Sequence, residues 1–201
     1  NGGGLLLIGG DRSFGLGNYQ GSILEEISPV TFTPPQASTK RLRNAIVLIL
    51  DKSRSMVADD RITAARRAAI ASINALQDDD MVSVIGYDTT PFVVIRMDEV
   101  NKVRPIAESR MRNLTAAGQT NLMPALQIAK RTIEEVSAGK KHIIILSDGE
   151  LPDAGPAYFQ EISALNNKGI SVSTITVGSE ADIPFMKALS EQGGGKFYHT
   201  D

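Results

Sequence analysis

The stretch AIVLILDKSRS (45–55) carries six apolar residues straight into an acid and two serines, so Asp51, Ser53 and Ser55 share one short loop. A D-x-S-x-S alternation in a tight loop turns every second side chain the same way. Two further loops carry the same kind of atom: Thr120 in AAGQTNL (116–122) and Asp148 in SDGE (147–150). Hydroxyls and carboxylates, without thiolate or imidazole, select a hard cation. Small octahedral Mg²⁺, which keeps several waters, suits so short a donor list better than Ca²⁺; Mn²⁺ and Ca²⁺ are the alternatives. Gly118 and Gly149 would let the backbone pass close to the ion. The competing reading is that these residues are ordinary helix caps and turn formers.

The elements that must position these oxygens are visible in the hydropathy pattern. Apolar runs without alternation occur at 45–50, 81–87, 92–97, 142–146 and 170–177. Such runs suit strands covered on both faces, as in a parallel sheet. Between most of them the period is helical: Ile62, Ala65, Ala69, Ile73 and Leu76 make one stripe, and Leu122, Ala125, Ala129, Ile133 and Val136 another. Val103, Ala107, Met111 and Leu114 suggest a third, Tyr158, Ile162 and Leu165 a fourth. Asp182 before Ile183-Pro184 reads as the N-cap of a fifth. Only DTTP (88–91) separates the second and third strands, too short for a parallel crossover, so these two form an antiparallel hairpin at the sheet edge. The fold class predicted is α/β: a doubly wound, mainly parallel sheet with one antiparallel edge strand and helices on both faces. Ligands of such sheets bind beyond the carboxyl ends of the strands, and both Asp51 and Asp148 follow strands there.

Residues 1–42 differ from the rest. They are rich in glycine around LLLI (5–8), continue through the connector SPVTFTPPQASTK (28–40), and allow one short helix near 22–27 stopped by Pro29. The chain starts at Asn1, as expected of an excerpt from a longer protein. With 201 residues, 42% of them apolar, and a formal charge of −2, the composition offers no basic excess for nucleic acid and no polybasic signal for a membrane surface. The absence of cysteine excludes disulfides, thiolate metal sites and a cysteine nucleophile. Gly15, Gly17 and Gly21 miss the dinucleotide-binding spacing by one residue, and no phosphate-binding P-loop motif occurs. Asp78-Asp79-Asp80 reads as a solvated turn beyond a helix end. His142 and His199, each at a predicted strand start, read as structural or exposed.

With its motifs on these elements, the chain resembles a von Willebrand factor type A domain carrying a metal-ion-dependent adhesion site. That family's three-part motif is D-x-S-x-S, a threonine in a G-x-T loop and an aspartate in a D-G pair. It stands here as Asp51/Ser53/Ser55, Thr120 and Asp148, in family order, within residues 43–201. The resemblance implies that the two serines ligate the cation directly, while Thr120 and the aspartates bind directly or through water. It also implies a protein ligand that reaches the cation through an acidic side chain. The family usually ends in a strand and a final helix. Here GGGKFYHTD (193–201) reads as that strand, so residues 43–201 are expected to lack the helix. Residues 1–30 are similar to a stretch of the glutamine-amidotransferase-like region that accompanies such domains in large bacterial membrane-anchored proteins. A parent of that kind, with this domain extracytoplasmic and out of direct membrane contact, is the corresponding expectation.

Three functions compete. A non-enzymatic, metal-dependent adhesion or assembly module leads, because Ser53, Ser55 and Thr120 add no charge and leave a cation attractive to an outside carboxylate. A metal-assisted hydrolase would need a general base, and Glu150 is the nearby candidate. A purely structural metal is the third.

Overall fold

The computed structural model describes residues 41–152, 154–178 and 182–200, residues 19–29, and positions 4, 6, 8, 13, 17 and 32. Its contacts divide the chain into two units, Asn1–Arg41 and Leu42–Asp201. In the first unit, helix α1 (Ile23–Glu26) is a single turn ending ahead of Pro29. The Glu25 carboxylate accepts the backbone N–H groups of Gly21 and Phe32, both at 2.6 Å. Most of residues 1–18, which carry much of the amidotransferase-like resemblance and include Gly15, lie outside the described residues.

The second unit is a six-stranded sheet in the order β3-β2-β1-β4-β5-β6. Its strands are β1 (Asn44–Asp51), β2 (Met81–Tyr87), β3 (Pro91–Glu99), β4 (Lys140–Ser147), β5 (Ile170–Val177) and β6 (Gly194–Thr200). All neighbours are parallel except β2 and β3, which form the antiparallel edge pair expected from the short DTTP link. The helices are α2 (Arg61–Ala75), α3 (Val100–Arg112), α4 (Leu122–Glu134), α5 (Pro156–Asn167) and α6 (Ile183–Gln192).

Strand period decides which helices cover which face. Ala45, Val47 and Ile49 of β1 pack in one core with apolar residues of α4, α5 and α6. Leu48 and Leu50 point the other way, into a core shared with α2 and α3. That two-sided cover is why β1 reads as an unbroken apolar run. At α6 the sequence-level cap is present: the Asp182 carboxylate accepts the Phe185 N–H at 3.1 Å. Among the described residues, no helix is long and apolar enough to cross a membrane.

Two local features differ from the sequence-based expectation. The aspartate run does follow the last turn of α2, but Asp80 is buried rather than solvated. Its carboxylate accepts the N–H of Asn44 at 2.8 Å and of Gln77 at 3.0 Å, tying the start of β1 to the end of α2. The chain satisfies two backbone donors there that no ladder reaches. His199 sits near the end of β6, not its start, with its Nδ1 2.9 Å from Thr176 Oγ1.

Candidate metal centre

The chain runs β1, β2, β3 outward to one edge, then returns to place β4 on the other side of β1. The strand order therefore reverses between β1 and β4, the position where doubly wound sheets bind ligands. Asp51 closes β1 and Asp148 follows β4 directly, so the reversal brings these two acids together.

In-register parallel strands set the surroundings of Asp51. Asp51 pairs with Tyr87 of β2, and the pairing of Leu50 with Leu146 places Ser147 of β4 on its other flank. Side chains at matched positions of parallel neighbours point to the same face, so the three form a row. Asp51 Oδ2 accepts from Tyr87 Oη at 3.0 Å and from Ser147 Oγ at 2.7 Å, all three buried. Asp51 Oδ1 accepts the Ser53 N–H at 2.8 Å, which bends the loop back over the strand end. Burial pushes the Asp51 carboxyl up from its ordinary range, with a smaller push from Asp148, against hydrogen bonds from Ser53 and Ser147 that pull it down. Burial, then the Asp51 charge, raise the Tyr87 phenol well above its usual value.

Ser53 Oγ and Ser55 Oγ lie 3.0 Å apart, at the start of two 3-10 turns within Arg54–Asp60, separated by a kink at Ala58 and Asp59, that the hydropathy pattern does not reveal. The Thr120 loop is laced to the same place. Ala117 N–H donates to Lys52 O at 2.7 Å, and Arg54 N–H to Gly118 O at 3.1 Å. On its far side Asn121 N–H donates to Asp88 O at 3.0 Å, and Gln119 N–H to Thr89 Oγ1 at 3.0 Å. Thr120, half-buried, stands between those two anchors. Gly118 is required in this lacing: its φ is +76°, and a Cβ there would lie 2.9 Å from Thr89 Oγ1 and 3.0 Å from Asp88 Cβ. Lys52 and Asp88 form an ion pair beneath the loop, with Lys52 Nζ 5.6 Å from the Phe92 ring centre.

Asp148 is fully buried. Its Oδ1 accepts the Glu150 N–H at 3.2 Å, while Oδ2 has no hydrogen-bond partner. The nearest cation is Arg61 at the start of α2, with Nη1 3.7 Å from that oxygen. A buried carboxylate oxygen without a donor is costly unless something positive meets it. Among the described residues, no group of three or more histidine, cysteine, aspartate or glutamate side chains is placed to hold a metal. A cation here would depend on the hydroxyls, and a set of three hydroxyls and two carboxylates fits a hard divalent ion. Tyr87, Ser147 and Arg61 carry no signal in the D-x-S-x-S pattern. The first two become visible only when the register of three strands is known.

The chain belongs to the von Willebrand factor type A domain family, whose profile matches residues 45–201. An uncharacterised protein of Synechocystis sp. is 33% identical over 167 residues, covering 81% of this chain and 39% of that relative. Calcium-activated chloride channel regulator 4 of Homo sapiens is 27% identical over 179 residues, covering 84% of this chain and 18% of the relative. The chain thus spans well under half of either protein. Among solved structures, a von Willebrand factor type A protein from Catenulispora acidiphila superposes with a TM-score of 0.72 at 22% identity, covering 79% of this chain and 39% of the other. The protein BatB of Bacteroides thetaiotaomicron gives 0.69 at 19% identity, covering 78% and 90%. These likenesses show a shared fold.

Proposed function

We propose that this domain is a non-enzymatic protein-binding module that holds a divalent cation, Mg²⁺ by its donor chemistry, and takes an acidic side chain of a partner there. The observation that carries this reading is the fully buried Asp148 Oδ2, without a hydrogen-bond partner, at the strand-order reversal. Ser53 and Ser55, with Oγ atoms 3.0 Å apart, and Thr120 would hold the ion directly, and Asp148 would face it. Asp51 has three of its acceptor positions taken by Ser53, Tyr87 and Ser147, so its part is to fix the loop and add charge, directly or through water. When bound, the cation supplies a positive point open to an outside carboxylate. Membership of the family supports an interaction role. Glu150, the base a hydrolase would need, is exposed, and the contact it makes at the site is its backbone N–H on Asp148.

Water-proton relaxation with Mn²⁺ tests this reading. Adding the protein to Mn²⁺ should enhance relaxation, and acetate should then lower the enhancement by displacing exchanging water. Ser55→Ala should abolish the enhancement while leaving the fold intact, because it removes a hydroxyl without opening a core cavity. Enhancement that survives Ser55→Ala, or that acetate leaves unchanged, contradicts the reading.

A further inference from the structure

We infer that Arg61 is a built-in counter-charge of this site: it weakens cation binding and leaves the loaded site more attractive to a carboxylate. The inference rests on the metal reading above. Arg61 is only 4% exposed, and an arginine does not shed its charge on burial. A buried charge needs an opposite one close by. Two carboxylates are within reach: Asp148 at 3.7 Å, fully buried, and Asp59 at 3.8 Å, which is 86% exposed and screened by solvent. The effective partner is therefore Asp148.

The pairing is unusual in having no hydrogen bond. Arg61 Nε and Asp148 Oδ2 are both buried and both without a hydrogen-bond partner. The guanidinium is thus close enough to offset the carboxylate, yet it leaves that oxygen's lone pairs free for another ligand. Its place is shaped by the end of β5. A Cβ on Gly178 would lie 2.4 Å from Arg61 Nε and 2.7 Å from Cζ, and the φ of +97° at that position favours glycine as well. Any side chain there would displace the guanidinium.

The charge balance gives this arrangement a consequence. Asp51 and Asp148 together offer two negative charges, which a divalent cation brings to zero. Arg61 lifts the loaded site to one positive charge; Lys52 and Asp88 cancel each other. The same charge opposes entry of the cation, so affinity for the metal falls while attraction for an anionic partner group rises.

Isothermal titration of Mn²⁺ into the wild type, Arg61→Gln and Arg61→Lys tests this, after circular dichroism has established that each is folded. Arg61→Gln should bind Mn²⁺ at least about tenfold more tightly, the floor set by removing one unit charge near a divalent ion under water-like screening. Arg61→Lys should stay near the wild type. Acetate should compete less well at the Mn²⁺-loaded Gln variant than at the wild type in the relaxation assay. If Arg61→Gln does not fold, Arg61→Met, which keeps an apolar stem in the buried position and removes the charge, should tighten Mn²⁺ binding in the same way. Unchanged or weaker binding in the folded variant overturns the role of Arg61 while leaving the metal site standing. Failure of all variants and the wild type to bind Mn²⁺ removes both.

Discussion

At the scale of the residue, the site is a small set of buried polar groups whose satisfaction is uneven. Asp51 is held by Ser53, Tyr87 and Ser147, whereas Asp148 keeps an oxygen with no donor. Removing one donor from the first acid should be felt throughout the fold. Tyr87→Phe leaves a buried carboxylate with one bond fewer and should cost about 2 kcal/mol in urea denaturation, the usual order for a hydrogen bond to a charged group. A loss below about 0.5 kcal/mol, the scale of an ordinary surface change, would mean the row across β2, β1 and β4 contributes little. Away from the site, His142 has its Nδ1 2.6 Å from Ser171 Oγ, and burial holds its imidazole below the usual 6.5. The folded chain therefore prefers the neutral ring. That preference stabilises the fold above pH 6.5 and is lost as pH falls from there through the lowered folded value. His142→Gln should flatten that part of the stability profile, measured by denaturation at several pH values.

At the scale of the element, much was legible because strand and helix periods are strong signals over long segments. Each apolar run became a strand, each stripe a helix, and the short link after Tyr87 an edge hairpin. The five oxygen residues were legible too, as a pattern in three loops, and the structure brings those loops to one edge of the sheet. What was hidden depends on register or on single tertiary contacts. Tyr87 and Ser147 meet Asp51 only through the alignment of three strands, and Asp80 is buried because two distant backbone donors need it. The kinked 3-10 turns within Arg54–Asp60 have no apolar period to betray them, and Asp59 and Asp60 adopt left-handed backbone that no local pattern predicts. Loop lacing carries its own consequence. Gly118→Ala places a Cβ against Asp88 and Thr89 at a positive φ, which should cost about 1–2 kcal/mol and loosen the Thr120 loop. Thermal denaturation should show the loss, and Mn²⁺ affinity should fall with it; an unchanged affinity would mean Thr120 is not a ligand.

At the scale of the whole molecule, the sheet reversal, the two converging acids and the hydroxyl loops make one system, and the cation is the piece that should unify them. Without it, Asp51 and Asp148 repel across the site, as the upward push of Asp148 on the Asp51 carboxyl indicates. With it, two charges would be met and three loops would be tied together. The most direct test is a thermal melt of the chain in chelator, in Mg²⁺ and in Mn²⁺. At about a hundred times its dissociation constant either metal should stabilise the fold by roughly 2.7 kcal/mol. For a domain of this size that amounts to a rise in Tm of about 5–10 °C. A melting temperature unmoved by both metals would contradict the cation site and with it the proposed mode of partner binding.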